Sequence, residues 1–265
     1  MARDSPSCTV PYVPRTYRRT ESTLCTFWTS PREAGEHLRH LRSWTVDAAR
    51  FLSETLGFRP TRRLHVVSFQ TNEEARRFLG REVPPTMALA PYAGDTHCLV
   101  AVQSADADAR NDDPQRMRGI LVHEIAHQLI AEKTGSTKRL GDANRLVRCS
   151  TWLNEGLAEL LRFHFLRDMT RIEDTRAEFE RAQDALTWRD VDHLLDDLDG
   201  GRRAAAFVRA TGAVAWVAQD AGVAALFECL PAVDGAVVPS SVCAVSALRR
   251  ARELLSLLER RRTDP

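Results

Sequence analysis

Apolar residues recur at helical spacing over much of this chain and gather into short β-rich runs at only two places. Between Pro31 and Leu56, the residues Leu38, Leu41, Trp44, Ala48, Phe51 and Leu52 fall on one side of a helix, and Gly57 ends it. Arg63–Gln70, read RLHVVSFQ, predicts a short strand. A helix follows from Thr71 or Asn72, where an N-cap and then acids suit the positive helix end. Glu82–Pro91 reads as irregular and turn-rich, and His97–Gln103 as a second strand. From Arg118 to Gly135, Ile120, Leu121, Ile125, Leu129 and Ile130 give a broad apolar covering, so most of this helix is expected to be buried. Asp113 is its N-cap, Pro114 its first residue and Gly135 its left-handed exit. Ser150–Asp168 is another capped amphipathic helix, with Leu153, Leu157, Leu160, Leu161 and Phe165 able to pack on a core.

After Asp168 nearly everything reads as helix: Ile172–Ala185, Trp188–Leu198, Ala204–Asp220, a further turn or two over Ala221–Cys229, and Val242–Arg261 beyond a loop at Pro231–Pro239. Residues 1–28 are rich in Ser, Thr, Pro, Arg and Tyr and show no period, which predicts an extended or flexible arm. The expected class is α+β: a small N-terminal mixed sheet followed by a mainly helical C-terminal half. Residues 29–265 are expected to form a single domain, with an α/β part to about residue 135 and a helical part from about residue 150.

Composition narrows the partners. The chain has 265 residues, 43% of them apolar, which is ample for a core, and no apolar run is long enough to span a membrane. A net charge of +1 gives no reason to expect nucleic acid. The N-terminus lacks a basic region followed by an apolar run, so no signal peptide is expected. Cys8, Cys25, Cys98, Cys149, Cys229 and Cys243 show no C-x-x-C spacing, and read as reduced thiols of a cytoplasmic protein. Export by an atypical route is the alternative. Oligomeric state is not encoded in any pattern here. Ala105–Asp113 carries four aspartates but lacks the glycine and terminal glutamate of an EF-hand loop.

The chemistry lies in two of the helices. His123, Glu124 and His127 form H-E-x-x-H, and residues four apart on a helix share a face with Cβ atoms roughly 5–6 Å apart. Both imidazoles can reach one zinc ion at bonds of about 2.0–2.1 Å. Two histidines and a glutamate in such an apolar helix are costly to bury without partners, and the ion would supply one. Glu124 borders the same cleft, where it can take a proton from a metal-bound water. A carboxylate from a second helix would complete a His-His-Glu site with the fourth position left to water. In the stretch STWLNEGLAELL, Glu155 is the expected third ligand. Glu159, one turn on, is expected to accept a hydrogen bond from a liganding imidazole and fix its tautomer. The plain alternatives are an accidental histidine pair and two glutamates on a solvated helix face.

HEIAH followed by WLNEGLAE resembles the gluzincin (peptidase MA-like) zinc metallopeptidases, especially the catalytic domain of M1-type aminopeptidases. The resemblance covers about 45 residues strongly and extends in outline from Leu64 to Gly222. It implies one zinc ion held by His123, His127 and Glu155, and Glu124 as general base acting on zinc-bound water. It implies a protease-like hydrolase cleaving a peptide or peptide-like amide bond, with a peptide or small amide-containing substrate. It also implies that the strand before the zinc helix, here His97–Gln103, is the sheet's edge strand and lines the cleft. That edge could pair with an extended peptide or serve as architecture alone. Three departures stand out. The interval from His127 to Glu155 is longer than usual, which makes Thr134–Cys149 an inserted loop. PYAGDTHCLVAV lacks the G-x-M-E-N motif, and the chain is far smaller than a full M1 enzyme. Small stand-alone proteins with one such domain are the nearer comparison.

Amide hydrolysis also needs a donor for the oxygen that becomes negative. The resembled family uses a tyrosine after the third ligand. Here the tyrosines are Tyr12, Tyr17 and Tyr92, none follows Glu155, and Phe207 takes the plausible place. His193 or an arginine could replace that donor, Tyr12 or Tyr17 could fold back from the arm, or the chemistry could be altered. A surface histidine is the ordinary reading of His193, and His164 reads as structural. Two further functions therefore stand beside the peptidase: a zinc-dependent enzyme on a small molecule in specialised metabolism, and a catalytically silent zincin-fold binding protein. In the loop Ser136–Arg148, Lys138, Arg139, Arg145 and Arg148 could recognise a substrate carboxylate or could simply be solvated.

Overall fold

The computed structural model describes residues 16–31, 35–61, 63–69, 71–79, 88–89, 97–102, 113–134, 151–181, 195, 200–233, 249 and 251. Its elements run β1 (Arg18–Glu21), β2 (Cys25–Thr29), α1 (Gly35–Leu56), β3 (Leu64–Phe69), α2 (Asn72–Leu79), β4 (Ala88–Leu89), β5 (His97–Val102), α3 (Pro114–Lys133), α4 (Thr151–Leu166), α5 (Met169–Arg181), α6 (Gly200–Ala218) and α7 (Val223–Val233). The chain divides into two compact units. The first is Met1–Arg50, Arg59–Gln128 and Thr137–Leu146, and the second is Phe51–Phe58, Leu129–Ser136 and Val147–Pro265. Helices α1 and α3 each contribute to both.

The first unit holds a mixed sheet in the order β1-β2-β3-β5-β4. β3 is parallel to both β2 and β5, whereas β1 and β4 are antiparallel to their neighbours. All six β3 residues are buried, as suits a strand covered on both faces. On α1, Leu41, Thr45, Ala48 and Leu52 make the fully buried stripe, and Arg42 lies over the Phe27 ring at 5.7 Å. Thr45 joins that apolar row because its hydroxyl donates to the Leu41 carbonyl at 2.7 Å, leaving no donor unmet. Gly57 ends α1 at φ 60°, the left-handed conformation expected of it.

Two expectations are corrected in the sheet. The end of the presumed 1–28 arm is the β1–β2 hairpin, and four of the five β2 residues are buried. The strands escaped notice because β1 is an edge strand carrying Arg18, Arg19 and Glu21, while β2 (CTFWT) has threonine at two of its five positions. Charge on an edge blunts pairing with other chains, and threonine suits a strand without raising its hydropathy. Arg63 and Arg19 both pair with Glu21, and Arg19 foremost holds that exposed carboxyl below its usual value. Second, β5 is not outermost. β4, within the segment read as irregular, pairs Ala88 with Ala101 and Leu89 with Val100.

The second unit is helical. α4 ends at Arg167, which adopts φ 57°, with Arg167 N–H donating to His164 O and Asp168 N–H to Phe163 O. These two bonds close a Schellman turn without the usual glycine. Asp168 then caps α5, accepting from Arg171 N–H at 3.1 Å. The packing of α6 depends on two glycines. A Cβ on Gly156 of α4 would meet the Ala210 carbonyl and come within 2.8 Å of Val214 Cγ2. One on Gly212 of α6 would meet the Thr175 carbonyl and stand 2.7 Å from Phe179 Cβ. Backbone-to-backbone approach on both sides thus fixes α6 between α4 and α5. α6 and α7 meet at 100° across the turn at Gly222. Among the described residues, no single helix is long and apolar enough to cross a membrane, although this bent pair would pass on length and composition alone.

Candidate metal centre

Asp113 caps α3 as its sequence suggests: its Oδ1 accepts from Gln115 N–H at 2.9 Å, and Pro114 is the first helical residue. From Leu121 to Ala131 the helix is buried on nearly every side, with only His123 and Glu124 half-exposed. One helical turn therefore determines how the two imidazoles meet. His123 Nε2 and His127 Nε2 are 3.1 Å apart, with the rings at 87° to each other. Two nitrogens bonded to one tetrahedral ion would lie about 3.3–3.4 Å apart. The observed 3.1 Å is close to that separation.

Glu155 joins them. Ligand atoms of His123, His127 and Glu155 all lie within 4.8 Å of one another. Two imidazole nitrogens and one carboxylate oxygen are a donor set that suits a borderline divalent ion, and three protein donors leave a coordination position for a small molecule. His127 is buried, and His123 and Glu155 are half-buried. The backbone that presents Glu155 is held from the other side by the neighbouring Gly156, through the contact with Ala210 and Val214. Trp152, Leu153 and Asn154 are all buried, so the first turn of α4 is a packed element rather than a frayed end.

The remaining expected residues fare differently. Glu124 follows His123 on α3 and is half-buried. Glu159 is little exposed, at 13% of its side chain, and both of its carboxylate oxygens accept from Arg162 Nη1, at 2.9 and 3.2 Å. Tyr17 is placed against Phe69 at the end of β3, with ring centroids 5.7 Å apart. Phe207 lies on α6 beneath the Arg203 guanidinium, 5.4 Å from its ring. His164 is half-buried on α4, and burial lowers its pKa below the ordinary histidine value. Tyr12, Tyr92, His193 and the basic loop with Arg145 and Arg148 lie outside the described residues.

Two features of α4 escaped the sequence reading. Gly156 is one: a glycine inside a helix costs roughly 1 kcal/mol against alanine, so its presence there signals a reason such as close approach. Arg162 is the other, three residues after Glu159 and so on its face of the helix.

Compared with known protein families and with curated proteins, the chain matches none of either.

Proposed function

We propose that this chain is a zinc-dependent hydrolase of gluzincin type, cleaving a peptide or peptide-like amide bond. The observation that carries this reading is the meeting of His123, His127 and Glu155, from two different helices, at metal-binding distance. His123 Nε2, His127 Nε2 and a Glu155 carboxylate oxygen would hold the ion. Zinc supplies a Lewis acid there, polarising a carbonyl and making water acidic near neutral pH. Glu124, adjacent to His123 and half-buried, is the general base. It takes a proton from the water that adds to the carbonyl carbon and hands it to the leaving nitrogen as the C–N bond breaks. The products are a carboxylic acid and an amine.

One observation favours a second reading. Phe207 packs beneath Arg203 and has no hydroxyl, and no tyrosine follows Glu155. Zinc-dependent chemistry on a small molecule tolerates that loss better than peptide hydrolysis does.

Metal analysis and activity separate these outcomes. Purified wild type is expected to carry one zinc per chain. Glu124→Gln is expected to keep the zinc while losing cleavage of a mixed peptide library by about a hundredfold or more. His127→Ala is expected to lose the metal. Zinc-free wild type, or a Glu124→Gln form that cleaves at the wild-type rate, would sink the proposal. A zinc-loaded wild type inert to peptides would favour the second reading.

A further inference from the structure

The metal group consists of His123, His127 and Glu155 and does not include Glu159, although Glu159 is one turn from Glu155 on the same side of α4. Helical side chains lean towards the N-terminus of their helix, so a glutamate at this position reaches back over the turn that carries Glu155. With its side chain only 13% exposed, the Glu159 carboxylate is costly to keep there unless a cation holds it. Among the described residues Arg162 is a cation within a turn's reach on one side, and the proposed ion would lie on the other. The structure has Arg162, whose Nη1 takes both carboxylate oxygens. That guanidinium is itself largely enclosed, and its Nε is buried without a hydrogen-bond partner. A long side chain accepting that cost points to a placement made for the contact with Glu159.

We infer that Arg162 is a positioning residue that holds Glu159 out of the coordination sphere and so keeps the metal centre at three protein ligands. The difference matters chemically. A second carboxylate on the ion would close the site in the manner of a structural metal centre, whereas three ligands leave room for water or substrate. Arg162 thereby decides whether the centre is open. This inference rests on the metal reading above, and its test is chosen to fail separately from it.

The test uses full-length protein loaded with Co2+, whose visible spectrum reports ligand number, and azide as a probe of the open position. In wild type, azide is expected to shift the Co2+ bands. In Arg162→Gln the released Glu159 becomes a fourth ligand, the azide shift is lost, and chelator competition shows zinc held more tightly, by about tenfold. Glu159→Gln combined with Arg162→Gln is expected to restore both the shift and the wild-type affinity, which a merely structural role for Arg162 would not do. Should Arg162→Gln fail to fold, Arg162→Lys takes its place. That variant keeps the charge but weakens the hold on two oxygens, and a partial loss of the azide shift is expected. A wild-type azide response in Arg162→Gln or in Arg162→Lys overturns the inference and leaves the metal reading standing. Wild type that takes up no Co2+ overturns both.

Discussion

In α3 the helix itself brings the two imidazoles together, whereas in α4 the placement of the carboxylate depends on what the helix packs against. For His123 and His127, 3.6 residues per turn put both side chains on one face, where their Nε2 atoms lie 3.1 Å apart. Glu155 has no such local guarantee. Its backbone is positioned where Gly156 lets the Ala210 carbonyl of α6 approach more closely than any side chain would permit. The same metal group thus has a locally determined half and a half determined by helix packing. Mutations on the two helices should therefore fail in different ways.

The largest expected effect is on the packed half. Gly156→Ala places a methyl group against the Ala210 carbonyl and 2.7 Å from its carbon, a backbone that cannot rotate aside. Overpacking of this kind costs about 1–3 kcal/mol and here outweighs the roughly 1 kcal/mol that alanine gains over glycine in a helix. Thermal unfolding should show a lower Tm, and zinc bound per folded chain should drop as Glu155 is displaced. Gly212→Ala sharpens the contrast. It forces the same kind of clash against Thr175 and Phe179, far along the sequence from any ligand. It should lower Tm comparably while leaving zinc per folded chain unchanged. Equal metal loss in both variants would mean that Glu155 does not depend specifically on its neighbouring glycine.

A smaller effect is expected on the locally determined half. Asp113→Ala removes the acceptor for Gln115 N–H and should cost about 1 kcal/mol, seen as a modest shift in denaturant midpoint. Zinc content should be unaffected, because the helical turn joining His123 to His127 lies well inside α3. Metal loss in this variant would show that the histidine pair is less self-sufficient than its spacing implies.

The smallest effect concerns pH. Burial lowers the pKa of His164 in the folded chain, so as pH falls the unfolded chain takes up this proton first. His164 should leave stability unchanged well above its ordinary value of about 6.5, then reduce it as pH falls through that value towards the lower folded one. Urea titrations of wild type and His164→Gln at a series of pH values would check this. The slope of stability against pH in that window should be shallower in the variant, and identical slopes would contradict the assignment.

The elements that could be read without coordinates share a physical cause. Gly57 and the Asp113–Pro114 start of α3 are set by neighbours within one turn, so residue type alone announces them. The β1–β2 hairpin could not be read this way, since Arg18, Arg19, Thr20, Thr26 and Thr29 become strand residues only by pairing with partners elsewhere. β4 became legible only through β5, because two residues form no pattern of their own.

The candidate site divides along the same line. His123 and His127 share a face by spacing alone, since the helical repeat puts residues four apart side by side. That Glu155 joins the two histidines and that Gly156 makes room for α6 were decided by tertiary structure. Each of these depends on how closely two helices approach or on which of several neighbouring groups a side chain meets. Sequence spacing constrains neither, because both are set by packing and charge in three dimensions.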